Sequence, residues 1–111
     1  MGKFESREGE ELGNNDTRAM VHVCGVRARV ARSFVERARG LIGQEGLPAG
    51  CGLLIEKCNA IHTFFMRFPI DATFLDKNNG IVKVVRNIRP WRILVWGGWR
   101  AKKVLETQSQ V

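Results

Sequence analysis

Ile61-His-Thr-Phe-Phe-Met-Arg-Phe-Pro-Ile-Asp-Ala-Thr-Phe-Leu-Asp76 carries β-branched and aromatic residues at the density of strands. Pro69 divides the run, because a residue without an amide donor fits an edge or a bend and not the middle of a central strand. Two strands are therefore expected, one on each side of the proline. Asp76-Lys-Asn-Asn-Gly80 then reads as a tight turn whose asparagines and glycine can take positive φ. Ile81 to Arg86 returns from it as the next strand. Outward from this centre, Gly52 to Glu56 reads as a short strand, and Ile93 to Trp96 and Val104 to Glu106 as the last ones. Upstream, Val21, Val23, Val26, Ala28 and Val30 are interleaved with His22, Arg27 and Arg29 and interrupted at Gly25, which predicts a strand pair or one bulged strand. The expected fold is mainly β and mostly antiparallel, a β sandwich or partial barrel.

One helix is expected, around residues 34–42. Ser33-Phe-Val-Glu36 has capping-box spacing, in which the serine hydroxyl accepts from the Glu36 amide and the Glu36 carboxylate reaches back to the Ser33 amide. Phe34, Ala38, Leu41 and Ile42 then form an apolar stripe at helical spacing, and the glycines at 40 and 43 limit its length. Gln44 to Cys51 is a turn-rich connection.

A length of 111 residues with 44% hydrophobic content is that of one modest domain. The formal charge of +7 is unevenly spread, since residues 1–20 hold 3 basic and 5 acidic side chains, a net of −2, which leaves +9 on the remainder. Residues 1–19 have only Phe4 and Leu12 as large apolar side chains, so a disordered tail is expected there and a single β-rich domain over 20–111. The basic remainder favours acidic partners such as nucleic acid, anionic lipid or an acidic protein face. No run of about 18 apolar residues exists to span a membrane, and the first twenty residues are too polar for a signal peptide, so the expected location is the cytoplasm. Three cysteines, Cys24, Cys51 and Cys58, make no secreted disulfide pattern and are expected as reduced thiols.

Glu36-Arg37-x-x-Gly40-Leu41, Gly52-Leu-Leu, the run Ile61 to Asp71 with Phe74-Leu-Asp76, Pro90-Trp-Arg92 and Val104-Leu-Glu106 occur in an order that resembles domain of unknown function family 192 (DUF192). The resemblance covers roughly residues 21 to 106. It implies a compact, mostly β bacterial domain without an established reaction. Members of that family continue past the Val-Leu-Glu segment into a further strand, so Thr107 to Val111 leaves room for a partner that adds a strand at the C-terminus.

Several residues are candidates for chemistry. If the central run is extended, His62, Phe64, Met66 and Phe68 share one face and Thr63, Phe65 and Arg67 the other. Arg67 and Asp71 lie close enough across the proline to pair. The candidate site is a pocket lined by His62, Phe64, Arg67 and Asp71 with Trp91 and Arg92 beside it, suited to a small anionic molecule because arginine offers a fork of donors. A hydrolase using His62 with Asp71 is the enzymatic alternative. His22, Cys24, Cys51, Cys58 and His62 match no paired zinc knuckle, so neither a metal nor another cofactor is expected. Arg89 to Lys103 interleaves Trp91, Trp96 and Trp99 with five cations, and Gly97-Gly98 is expected to keep it flexible. Exposed, this loop suits single-stranded nucleic acid; otherwise its tryptophans fill or cover the core.

Overall fold

The computed structural model describes residues 20–33, 36–37 and 40–110. Eight strands are present among the described residues: β1 (Met20–Val23), β2 (Val26–Ala31), β3 (Cys51–Glu56), β4 (Ala60–Ile61), β5 (Ile70–Leu75), β6 (Ile81–Ile88), β7 (Val95–Trp96) and β8 (Lys103–Gln108). Six of them form one sheet in the order β1-β2-β3-β8-β5-β6, and β4 pairs with β7 in a second, two-stranded sheet. All pairs are antiparallel except β2 with β3. Parallel neighbours cannot be joined by a hairpin, which is why the connection over residues 32–50 is long. The mainly β reading holds, with one parallel pair in a mixed sheet.

Alternation sorts the side chains. In β3, Leu53 and Ile55 enter the larger core while Leu54 enters a smaller one on the opposite face. Burial on both faces explains why this strand is apolar without interruption. In β5, Ile70, Ala72 and Phe74 point to the larger core and Leu75 to the smaller. The two-stranded sheet closes the larger core, because Ile61 and Val95, directly paired across it, both belong to that cluster.

The β1–β2 hairpin turns at Cys24 and Gly25, both at positive φ, so the interruption divides two strands. The Asp76 turn also forms as expected: Asp76 Oδ1 accepts from the amides of Asn78 and Gly80, each at 2.8 Å. These bonds hold its carboxyl below the ordinary value.

The expected helix over 34–42 falls partly on residues 34, 35, 38 and 39, which lie outside the described residues. The capping box exists: the Glu36 amide donates to Ser33 Oγ at 3.0 Å, and Glu36 Oε1 accepts from the amides of Ser33 and Arg32. No helix continues through Leu41 and Ile42, which lie in a turn, because Gly40 takes a left-handed φ of 53° that breaks helical geometry.

The central run differs from its expectation. Residues 62–69 are not a strand, since Phe64 and Phe65 make a turn with Phe65 at a φ of 62°. The extended-face assignment therefore fails. Thr63, Met66 and Phe68 are buried, while His62, Phe65 and Arg67 are exposed. Near the C-terminus, β8 is paired with β3 on one side and β5 on the other, so among the described residues the sheet edges are β1 and β6.

Candidate functional site: a lysine cleft and an aromatic surface

The side chains expected to form one pocket are held in separate places. Asp71 sits where β5 and β6 shift register, between the pairs Ile70 with Ile88 and Ala72 with Val85, so two residues of β6 oppose one of β5. Its Oδ1 accepts from the Asn87 amide at 2.9 Å and its Oδ2 lies 3.7 Å from Arg86 Nη1. Asp71 thus serves the bulge. Arg67 does not pair with it; Arg67 Nη1 donates to Glu45 Oε2 at 3.3 Å, between two exposed side chains. Exposed His62 accepts from the Phe64 amide at Nδ1.

Part of the expected set does converge. His62 and Phe64 have ring centroids 5.3 Å apart, and Phe64 lies 6.1 Å from Trp91. Phe65 meets Trp91 edge-on at 4.8 Å. Thr63 fastens this corner: its hydroxyl donates to the Arg89 carbonyl at 2.7 Å and accepts from the Arg92 amide at 2.8 Å. Its backbone also accepts from the Trp91 amide and donates to the Arg92 carbonyl. Phe65 and Trp91 are bulky residues in left-handed conformation, which this bonding enforces.

The tryptophans do not fill the core. Trp91 is 59% exposed, Trp96 42% and Trp99 82%, and Phe65, Ile93 and Leu94 are exposed with them. Trp96 and Trp99 meet edge-to-face at 5.2 Å. Each of the glycines between them has a structural ground. A Cβ on Gly97 would run into the ring of Phe74, and the Gly97 amide donates to the Asn59 carbonyl at 2.7 Å. Only Gly98, at a φ of 97°, answers to a conformational need.

Beside this loop lies an open cleft of about 670 Å³ that includes Lys57, Lys77, Lys102 and Lys103 in its lining, with Glu56 as its acidic member. Three loops build it. The Cys58 amide donates to the Lys102 carbonyl at 2.9 Å and the Lys102 amide to the Leu75 carbonyl at 2.7 Å, so the ends of β3 and β5 are tied to the start of β8. Glu56 is engaged by Arg32 at 3.2 Å, and Lys103 Nζ donates to Asn79 Oδ1. The cleft is therefore positive, and the Trp96–Trp99 pair stands on the loop that leads into it. Lys57 and Lys77 were not among the sequence candidates.

A second, smaller cavity of about 100 Å³ lies inside the larger core's rim, with Arg37, Gly40, Leu41, Cys58, His62 and Glu106 among the residues around it. Glu106 is on the core-facing side of β8 with Val104, opposite Leu53 of β3 and Ala72 of β5. It is 3% exposed, and its Oε1 has no hydrogen-bond partner among the described residues. Burial pushes its carboxyl from the ordinary 4.5 to about 8. Burial likewise pushes the Cys58 thiol up, and Cys58 Sγ donates to the Ala60 carbonyl at 3.0 Å. No three His, Cys, Asp or Glu side chains among the described residues are placed to hold a metal ion.

The DUF192 profile, described as Uncharacterized ACR, matches residues 16–111. The chain belongs to this family. Its relatives include UPF0127 protein PH1112 of Pyrococcus horikoshii, 41% identical over 81 residues, which covers 70% of this chain and 69% of that protein. A UPF0127 protein of Thermococcus sibiricus is 36% identical over 85 residues, 73% of this chain and 54% of that protein. Among solved structures, a protein of unknown function from Novosphingobium aromaticivorans superimposes with a TM-score of 0.70 at 18% identity, covering 84% of this chain and 73% of that one. A putative transcription regulator from Sinorhizobium meliloti gives 0.68 at 16% identity, over 83% and 79% of the two chains. These likenesses show the fold. No helix among the described residues is long and apolar enough to cross a membrane.

Proposed function

We propose that this DUF192 chain is a binding domain whose partner is single-stranded nucleic acid, held along the lysine cleft with bases stacked on the neighbouring tryptophans. The observation that carries this reading is the placement of Lys57, Lys77, Lys102 and Lys103 around one open cleft next to an 82% exposed Trp99. Ammonium groups neutralise backbone phosphates without regard to sequence, and an exposed indole accepts any base on its face. Trp99 touches Trp96 edge-to-face and still leaves most of its ring open to solvent. Arg89, Arg92 and Arg100, all exposed, extend the positive surface along the same loop. His62 and Asp71, the pair a hydrolase would need, are each committed to a different local contact.

The test is an amide NMR titration of labelled protein with a short mixed-sequence single-stranded oligonucleotide, followed by tryptophan emission across a salt series. If all four lysines neutralise phosphates, affinity falls with a log–log slope of roughly −3, or about 50-fold between about 50 and 200 mM salt. Shifts should gather at residues 57, 77 and 96–103, and Trp99→Ala should weaken binding by about 1–3 kcal/mol. Diffuse shifts, or affinity indifferent to Lys102→Glu and Trp99→Ala, would refute the proposal.

A further inference from the structure

The cavity beside Glu106 is separate from the cleft and has a different chemistry. Its walls are mostly apolar, including Leu41, Ile55, Ile61 and Met66, yet a carboxyl oxygen without a partner among the described residues is buried there. Gly40 lies over that oxygen, where a Cβ would stand 3.9 Å from Glu106 Oε1, in ordinary contact. A buried polar atom without a partner is costly, and a cavity of about 100 Å³ offers room for what would satisfy it. Strand pairing fixes the Glu106 backbone from both sides and so keeps its side chain on the core-facing side of the sheet.

We propose that this cavity binds a small aliphatic amine, with its ammonium donating to Glu106 Oε1 and its short alkyl part against the apolar walls. Once ionised, the Glu106 carboxylate only accepts, so the ligand must bring the donor, and an ammonium makes the strongest such bond. The other charged or titratable groups around the cavity among the described residues are Arg37, Cys58 and His62; β3 and β5 present Leu53 and Ala72 opposite Glu106 and add none. Arg37 at the rim disfavours a bare cation and favours an amine that also carries a carboxylate. A short amino acid is therefore the better-suited form of the same ligand class. Because Glu106 titrates at about 8, ammonium binding at pH 7 must expel its proton, about 0.9 per ligand.

Isothermal titration of the full chain with propylammonium, β-alanine and propanol tests this, each run in two buffers of different ionisation enthalpy. Expected are saturable binding of the amines below about 10 mM, release of close to one proton at pH 7, and no comparable binding of propanol. β-Alanine should bind at least as tightly as propylammonium, and Glu106→Gln should weaken both at least about tenfold. Equal binding of propanol, binding without proton release, or full binding by the Glu106→Gln variant would overturn the assignment. So would the absence of binding by both amines, which would leave the cavity to water.

Discussion

Replacing Glu106 by glutamine should change how the stability of this protein depends on pH, and the size of the change follows from the burial of one side chain. The folded carboxyl titrates at about 8 against an ordinary 4.5. Between those values the folded state keeps a proton that the unfolded chain gives up, so stability falls as pH rises through the window. Below about pH 4.5 both states are protonated and nothing is lost. At pH 7 the loss has run for about 2.5 pH units at about 1.4 kcal/mol each, or roughly 3 kcal/mol, and above pH 8 it levels off near 5 kcal/mol. Glutamine has nearly the same shape and no charge to bury, so it removes this dependence. Urea unfolding of both proteins at pH 4.5, 7 and 8.5 should give a stability difference that starts near its minimum, grows in favour of the variant by about 3 kcal/mol at pH 7 and by about 5 at the highest pH. Parallel pH profiles would refute the reasoning, because they would mean that Glu106 is ionised and compensated in the fold.

Thr63→Val preserves shape but removes the hydroxyl that serves Arg89 and Arg92; two part-buried backbone groups then lose this partner, and chemical denaturation should show a loss of about 1–3 kcal/mol. The same variant should alter the near-ultraviolet dichroism of Trp91, whose loop Thr63 fixes. Gly97→Ala forces a methyl against Phe74 in the core, with an expected cost of about 1–3 kcal/mol and a Tm lowered by roughly 4–8 °C for each of them. Ser33→Ala removes the acceptor for the Glu36 amide and should cost about 1 kcal/mol. In that variant the Glu36 carboxyl should also titrate higher: burial already pushes it up, and the bonds from Ser33 and Arg32 are what bring it below its ordinary value.

What the sequence disclosed was local. The Asp76 turn and the Ser33–Glu36 capping box each close within five residues, so composition and spacing suffice to find them. Strand content was legible for the same reason, since alternation is a property of neighbours. The side of the sheet on which His62 falls was not, because it depended on the backbone staying extended through Phe65, and the bonds from Thr63 to a segment nearly thirty residues later turn it instead. Trp91 lies near Phe64, whereas Arg67 and Asp71 are taken by Glu45 and by a bulge that no pattern in the run announces. Lys57 and Lys77 are scattered cations until the ends of β3 and β5 meet the β8 loop. Glu106 left one trace: on a strand it shares its side with Val104, and an acid on the inward side of an apolar strand is a signal worth pursuing.

The position of β8 has a consequence for how this protein is made. The last strand described is also the one that joins the sheet's two halves, with β3 on one side and β5 on the other. A nascent chain that has emerged only as far as β7 can form the β1–β2 and β5–β6 hairpins, but it holds open the two apolar flanks that β8 will fill. Those flanks include Leu53, Ile55 and Phe74, all fully buried once the strand arrives. Synthesis at about 5–20 residues per second leaves them unpaired for on the order of a second or more, which makes the interval before β8 the time of greatest exposure to association with other chains. A stop codon or frameshift ahead of residue 103 would make that interval permanent, and the product should be recovered as aggregate and not as a shorter domain.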